Sequence, residues 1–254
     1  MNIKIIVATH KAYKMPTDPM YVPLQVGSEG KPSLGYKRDN VGDNISAKNA
    51  NYCELTGLYW AWKHMDAEYL GLVHYRRYFS KGHIRRHILQ QSDVEKLLEK
   101  AEVILPKKRN YFIETTYNQY VHAHHEEDLL QTRAILAEKY PTYLLAFDKV
   151  MKRTSGHRFN MMIMKRDKLD AYCSWLFDVL GELENRLDIS DYSPYDARVF
   201  GFVAERLLDI WVETNGIHYA ETSFWYIEKQ NWLKKGGAFL MRKMRGKKKE
   251  GPKA

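Results

Sequence analysis

Cysteine is scarce. Cys53 and Cys173 are the only two in 254 residues, far apart and without partners at metal-ligand spacing. Neither a disulfide framework nor a zinc site is supported, and a reducing compartment fits best. Long apolar runs are missing as well. The opening MNIKIIVATHK has too short an apolar stretch for a signal peptide, and no window approaches the roughly 20 apolar residues of a membrane span. A cytoplasmic protein is expected, soluble or peripheral to a membrane. Acidic residues all but vanish at the C-terminal end, where residues 232–254 hold nine Lys or Arg against Glu250 alone. That segment carries most of the formal charge of +9 and leaves the body near neutral. A nucleic-acid groove requires a basic face on the folded domain, and no recognised motif supplies one. No internal repeat is evident.

What is present is apolar surface: 44% hydrophobic and 13% aromatic residues suffice for one sizeable core. Residues 3–8, IKIIVA, read as a buried first strand of an α/β domain. Thr9, His10 and Lys11 follow at its carboxyl end, where open α/β sheets bind ligands, so they are either a nucleotide contact or a polar strand exit. Residues 12–47 hold four prolines and four glycines in a polar stretch read as a long functional loop. A helix is expected over residues 49–65, with Asn51, Glu54 and Leu58 on one face by their spacing. YLGLV reads as a strand that emits His74, Tyr75, Arg76, Arg77, Tyr78 and Phe79. The two arginines are either anion binders or a solvated ion-pair edge. A helix over 92–100 and a strand AEVILP continue the alternation.

Beyond Pro106 the pattern turns helical. His122, His124, His125, Glu126, Glu127 and Asp128 suggest a metal cluster, but their spacing matches no zinc motif, and one histidine touching substrate is the alternative. FNMMIMK at 159–165 reads as a strand before an amphipathic helix. A last helix runs to Asn215-Gly216, a helix stop.

These motifs together resemble a family of bacterial capsule, exopolysaccharide and O-antigen glycosyltransferases catalogued as domain of unknown function 4422. The segments carrying the resemblance are DNVGDNIS with NYCELTGLYWAWK, GLVHYRRYF, AEVILP, QYVHAHHEEDL, RFNMMIMKRDKLDAYCSWLF and ARVFGFVAERLLDIW, spanning about residues 3–215. The resemblance implies a glycosyltransferase-A-like fold, a nucleotide-binding α/β sheet carrying a helical acceptor side. Such folds place an Asp-X-Asp metal motif after the strand occupied here by YLGLV. This chain has His74-Tyr75-Arg76 instead, so no divalent metal is expected, and Arg76 and Arg77 would neutralise the leaving diphosphate. Asn160 becomes a donor or acceptor contact, and His157 and Arg158 reach toward the diphosphate.

Sugar transfer then needs a donor pocket and, for inversion, a base. Thr9, His10, Lys11, Asp43, Asn44, Asn51, Glu54, His74, Tyr75, His157 and Asn160 are the expected donor-binding residues, with His124 on the acceptor side. Arg76 and Arg77 serve catalysis, and Asp196 or Glu205 is the base. Glu205 could equally pair with Arg206, and Asp196 could cap a helix. The expected donor is a UDP-hexose, galactose in pyranose or furanose form. The acceptor is a growing polysaccharide or a polyprenyl-phosphate-linked precursor. Residues 1–110 are assigned mainly to the nucleotide sugar and 111–228 mainly to the acceptor. Residues 229–254 form a basic amphipathic tail for an anionic membrane surface. A non-catalytic sugar-nucleotide-binding partner in a polysaccharide assembly complex remains the alternative, and nucleic-acid binding through the tail is a third reading.

Overall fold

A computed structural model describes residues 1–82 and 87–227. The basic tail expected over 229–254 lies outside the described residues.

The N-terminal apolar run forms β1 (Ile3–Thr9), and its alternation sorts the two faces of the sheet. Ile6 and Ala8 join one apolar cluster, while Ile3, Ile5 and Val7 join another on the opposite face. Downstream lie β2 (Tyr21–Gln25), β3 (Lys37–Arg38), α1 (Asn49–Tyr52), α2 (Leu55–His64), β4 (Tyr69–His74) and β5 (Arg77–Ser80). They are followed by α3 (Gln91–Leu98), β6 (Val103–Pro106), β7 (Arg109–Asn110), α4 (Thr116–Val121), α5 (Glu126–Lys139) and α6 (Leu144–Lys152). The chain continues through β8 (Ser155–Gly156), β9 (Met162–Lys165), α7 (Arg166–Arg186), α8 (Val199–Thr214) and β10 (Tyr219–Tyr226).

Eight strands form one mixed sheet in the order β3-β2-β1-β4-β5-β10-β6-β9, with β9 also pairing antiparallel to β4. The α/β class expected from the strand–helix alternation is what forms. The larger apolar cluster lies between the sheet and α2, α5, α6, α7 and α8, while the smaller is covered by α3 and the N-terminal loops.

Three expectations about elements are corrected. The stretch 12–47 is not wholly a loop, because Tyr21–Gln25 pairs parallel with β1. Pro23 hid it: a residue with no N–H argues against a strand on sequence grounds, yet it pairs with Val7 inside the sheet. The helix over 49–65 is broken at Cys53, whose φ is 54°. The strand expected from 159 begins only at Met162, because Phe159 and Asn160 have φ of 77° and 52° and form a left-handed turn.

Candidate active site

The cleft opens at the carboxyl ends of β1 and β4. β4 ends at His74, which pairs antiparallel with Arg77, so Tyr75 and Arg76 make the tight turn into β5. Tyr75 is the pivot of this turn. Its N–H donates to Ala8 O over 3.1 Å, and its buried ring lies against His10 with Lys11 Nζ 5.3 Å from its centre. Arg76, Arg77 and His74 consequently face a common space. Burial, reinforced by Arg77 and Arg76, pushes the His74 imidazole down to about 3, so it is neutral at physiological pH.

The opposite wall is strained backbone. The N-terminal part of α8 approaches the α1–α2 break so closely that a Cβ at Gly201 would lie 3.2 Å from Cys53 Sγ. Arg198 Nε donates to that sulfur over 3.1 Å, and burial lifts the Cys53 thiol to about 11, leaving it unreactive. The break sends Asn51 and Glu54 in different directions. Asn51 Nδ2 donates to Ala197 O over 2.7 Å, whereas Glu54 Oε1 accepts from Asn160 Nδ2 over 2.9 Å. The left-handed turn at Phe159 is fastened by its N–H, which donates to Glu205 Oε1 over 2.9 Å. Non-glycine residues in this region cost of order 1–3 kcal/mol each and persist only where surrounding contacts enforce them, as they do here.

Two adjoining cavities result. One, of about 300 Å³, lies beside the end of β1 and is bounded by His10, Asn49 and Ala50. The other, of about 280 Å³, reaches toward α4 and α8. Cys53, Glu54, His74, Arg76 and Arg198 border both. Six arginines line the second cavity, Arg76, Arg77, Arg109, Arg158, Arg198 and Arg206, against only two carboxylates, Glu54 and Glu205. Arg158 and Arg206 are buried and committed. Arg158 bonds to Tyr111 Oη and His157 O, and Arg206 donates to Phe202 O, Glu205 and Gln119. Arg77 stacks over the Phe159 ring at 4.3 Å, and its buried Nε has no hydrogen-bond partner among the described residues. This excess of positive charge in a partly dry cleft suits a multiply charged anion.

A second chemical feature sits on the α4–α8 side. His124 lines the cavity, stacked on Phe202 at 4.2 Å, and its Nδ1 donates to Asp196 Oδ1 over 3.3 Å. Asp196 opens a short 3-10 helix (Asp196–Arg198) and is itself held by Ser193 Oγ over 2.7 Å. Asp196 makes no side-chain cap of that helix. Burial outweighs the Asp196 contact and holds His124 down at about 4. A neutral imidazole whose Nδ1–H is fixed by a carboxylate keeps Nε2 as an acceptor.

The expected site residues thus divide. Arg76, Arg77, Glu54, His74, His124 and Glu205 line the second cavity, and His10 lines the first. Lys11 is exposed beside the Tyr75 ring. Thr9 is fully buried, and its hydroxyl is used within its own turn, donating to Lys11 O over 2.6 Å. Asp43 and Asn44 lie by the end of α2: Asp43 accepts from Tyr59 Oη over 3.0 Å, and Asn44 Nδ2 donates to Gly42 O over 2.7 Å. His157 is buried between Asp209 and Glu221 and does not reach the cleft, although its neighbour Arg158 does. Glu205 does pair with Arg206, at 3.0 Å, and that ion pair forms part of the cavity wall. The histidine-rich stretch disperses: His122 faces Glu114, and His125 stacks on Tyr192. Among the described residues no group of three or more His, Cys, Asp or Glu is placed to hold a metal ion. Arg109, Tyr111, Arg198 and Phe202 were not singled out by sequence, where a lone arginine or aromatic in a helical or basic stretch carries no signal of its own.

The family model described as a domain of unknown function, DUF4422, matches residues 4–216. Among solved structures the chain is similar to WbbM, described as a bifunctional glycosyltransferase in its apo form. The TM-score is 0.83 at 28% identity, covering 90% of this chain and 46% of that one. This chain therefore spans under half the length of WbbM. No curated protein matches. The architecture expected from the sequence, a glycosyltransferase-like α/β sheet with a helical side, is the one this similarity shows.

Proposed function

The chain belongs to the DUF4422 family, and we propose that it is a glycosyltransferase that moves a hexose from a UDP-sugar to a bacterial surface polysaccharide or its lipid-linked precursor. The observation that carries this reading is the arginine-rich cleft at the carboxyl ends of β1 and β4. The similarity to WbbM supports glycosyl transfer as the chemistry.

In this reading the nucleoside occupies the cavity beside β1, between His10 and the Asn49–Ala50 backbone. The diphosphate lies where the two cavities meet, against Arg76 and Arg198 with Arg77 behind. The hexose and acceptor fill the second cavity, where Phe202, Tyr195 and His124 offer a stacked aromatic wall to sugar faces. The acceptor oxygen attacks the anomeric carbon as the bond from that carbon to the diphosphate oxygen breaks. UDP leaves with the bonding electrons, and the arginines stabilise its growing charge in place of a metal. The acceptor proton passes to His124 Nε2, and Asp196 stabilises the imidazolium that forms. Glu205 is the less suited base: one oxygen accepts the Phe159 N–H and the other pairs with Arg206, so its work is to hold the strained turn.

A donor screen tests the proposal. UDP-galactose, UDP-glucose and UDP-N-acetyl sugars should raise the melting temperature, because a ligand of the folded state stabilises by mass action. Their GDP and dTDP counterparts should do so less. No shift and no sugar transfer with any UDP-sugar would refute it.

A further inference from the structure

We propose that the loop following β7 is a membrane-docking wedge that inserts Phe112 and Ile113 into the interface of an anionic bilayer, fixing the mouth of the cleft against the lipid surface. Phe112 is 81% exposed and Ile113 72%. Among the exposed large hydrophobic side chains of the described residues, no other two are neighbours in sequence. Exposing two such side chains together opposes solubility and marks a contact surface.

The wedge is built. On its N-terminal side β7 pairs antiparallel with β8 as a two-stranded ribbon, Arg109 against Gly156 and Asn110 against Ser155. Any side chain at Gly156 would collide with Arg158 and Asp209, at 2.5 and 2.6 Å, so the ribbon is seated directly on the buried ion network. Tyr111 is buried, its N–H donating to Thr154 O over 2.7 Å and its hydroxyl accepting from Arg158. On the C-terminal side Glu114 is buried against His122, and Thr115 caps α4 by accepting from Asn118 N–H. Between these anchors the Ile113 N–H donates to Tyr111 O over 2.8 Å and the Phe112 N–H to Asn110 Oδ1 over 2.7 Å. Phe112 is thereby held at a φ of 61°, a conformation that favours glycine and disfavours a bulky aromatic. A phenylalanine kept where glycine would fold more readily points to a task outside folding.

Charge selects the occupant. Lys107, Lys108 and Arg109 lead into the tip and are all exposed; Lys108 is engaged with Tyr219 Oη at 2.8 Å and Glu221 at 3.9 Å, while the nearest acid on the far side, Glu114, is buried and paired. A basic approach, with Lys107 and Arg109 exposed in sequence before two exposed apolar side chains, matches an anionic lipid interface, with the cations at the headgroups and the apolar tip below them. Arg109 and Tyr111 also line the second cavity, so docking here brings the cleft mouth to the bilayer.

The test uses the full chain and vesicle cosedimentation, which requires no sugar donor and so stands or falls apart from the transferase reading. Native protein should sediment with phosphatidylglycerol-containing vesicles. Phe112→Ser/Ile113→Ser should lower its partition by about tenfold or more, since apolar area no longer enters the interface. Phe112→Gly serves as the fold-safe variant: it should melt no lower than native, because the positive φ is then unstrained, and still bind vesicles more weakly. Lys107→Glu should weaken binding to anionic vesicles and leave binding to phosphatidylcholine unchanged. Equal sedimentation of native protein and both tip variants, or failure of native protein to bind anionic vesicles at all, would overturn the proposal.

Discussion

Asn160 donates from Nδ2 to Glu54 Oε1 over 2.9 Å and to Gly201 O over 3.1 Å, so one side chain ties the turn before β9 to both the α1–α2 break and α8. Its Oδ1 is buried without a partner among the described residues, beside the strained Phe159 turn. Burial raises the Glu54 carboxyl above the usual carboxylate range, against the lowering contribution of the Asn160 bond. An acid raised in the folded state weakens folding as pH climbs above its unfolded value, because the unfolded chain releases that proton more readily. Glu54→Gln keeps an acceptor for Asn160 and removes this penalty. Differential scanning fluorimetry should show the variant melting above native at pH 8, by a margin that grows as pH rises from the unfolded carboxyl range. The gap should narrow as pH falls and close below about 4, as the unfolded carboxyl becomes protonated too. A gap independent of pH would remove the carboxyl from the explanation.

Arg76 lies in the β4–β5 turn and Arg77 opens β5, and both line the cleft. Replacing at least one of them by alanine should lower turnover by on the order of a hundredfold, the usual scale for losing charge stabilisation of a leaving group. Melting curves should stay close to native. Normal turnover in both variants would make the pair a surface feature.

The family resemblance places an Asp-X-Asp motif where this chain has His74-Tyr75-Arg76, so on the proposed reading sugar transfer should persist in excess EDTA at an undiminished rate. Strict dependence on manganese or magnesium would contradict this and return attention to Asp43, Asp128 and Asp196.

His124 and Glu205 can be told apart as bases. His124→Gln should cut kcat by about 10²–10⁴-fold, the range for removing a general base. Glu205→Gln retains an acceptor for the Phe159 N–H and should alter KM more than kcat. With the His124 imidazole held at about 4, the base is unprotonated across neutral pH. Turnover should therefore be flat on the acidic side of neutrality and fall only as pH drops toward 4. A limb near 6.5, or a larger kcat loss in Glu205→Gln, would reassign the base.

Local pattern carried much of the fold. The β-branched run of β1, the YLGLV core of β4 and the VILP of β6 declare themselves because a strand buried on both faces needs continuous apolar residues. The end of α8 was equally readable, since Asn215 closes it and Gly216 adopts a φ of 58°. Arg76 and Arg77 stood out because paired cations directly after a buried strand have few structural uses.

Tertiary structure decided the rest. Nothing in NANYCELTGLYW announces a break at Cys53, and nothing in RFNMMIM announces a left-handed Phe159, for cysteine and phenylalanine disfavour these conformations; Asn160 beside it is a residue that tolerates one. They exist because Gly201, Glu205 and Glu54, tens of residues away in the chain, supply the close approach and hydrogen bonds that hold them. Likewise Arg109, Arg158, Arg198 and Arg206 meet Arg76 and Arg77 only when the sheet and α8 close on one another. The sequence by itself determined which residues are buried and which strand ends carry cations. Only the folded chain decided which of them face one another, because periodicity specifies the buried face of an element and not the distant surface that covers it.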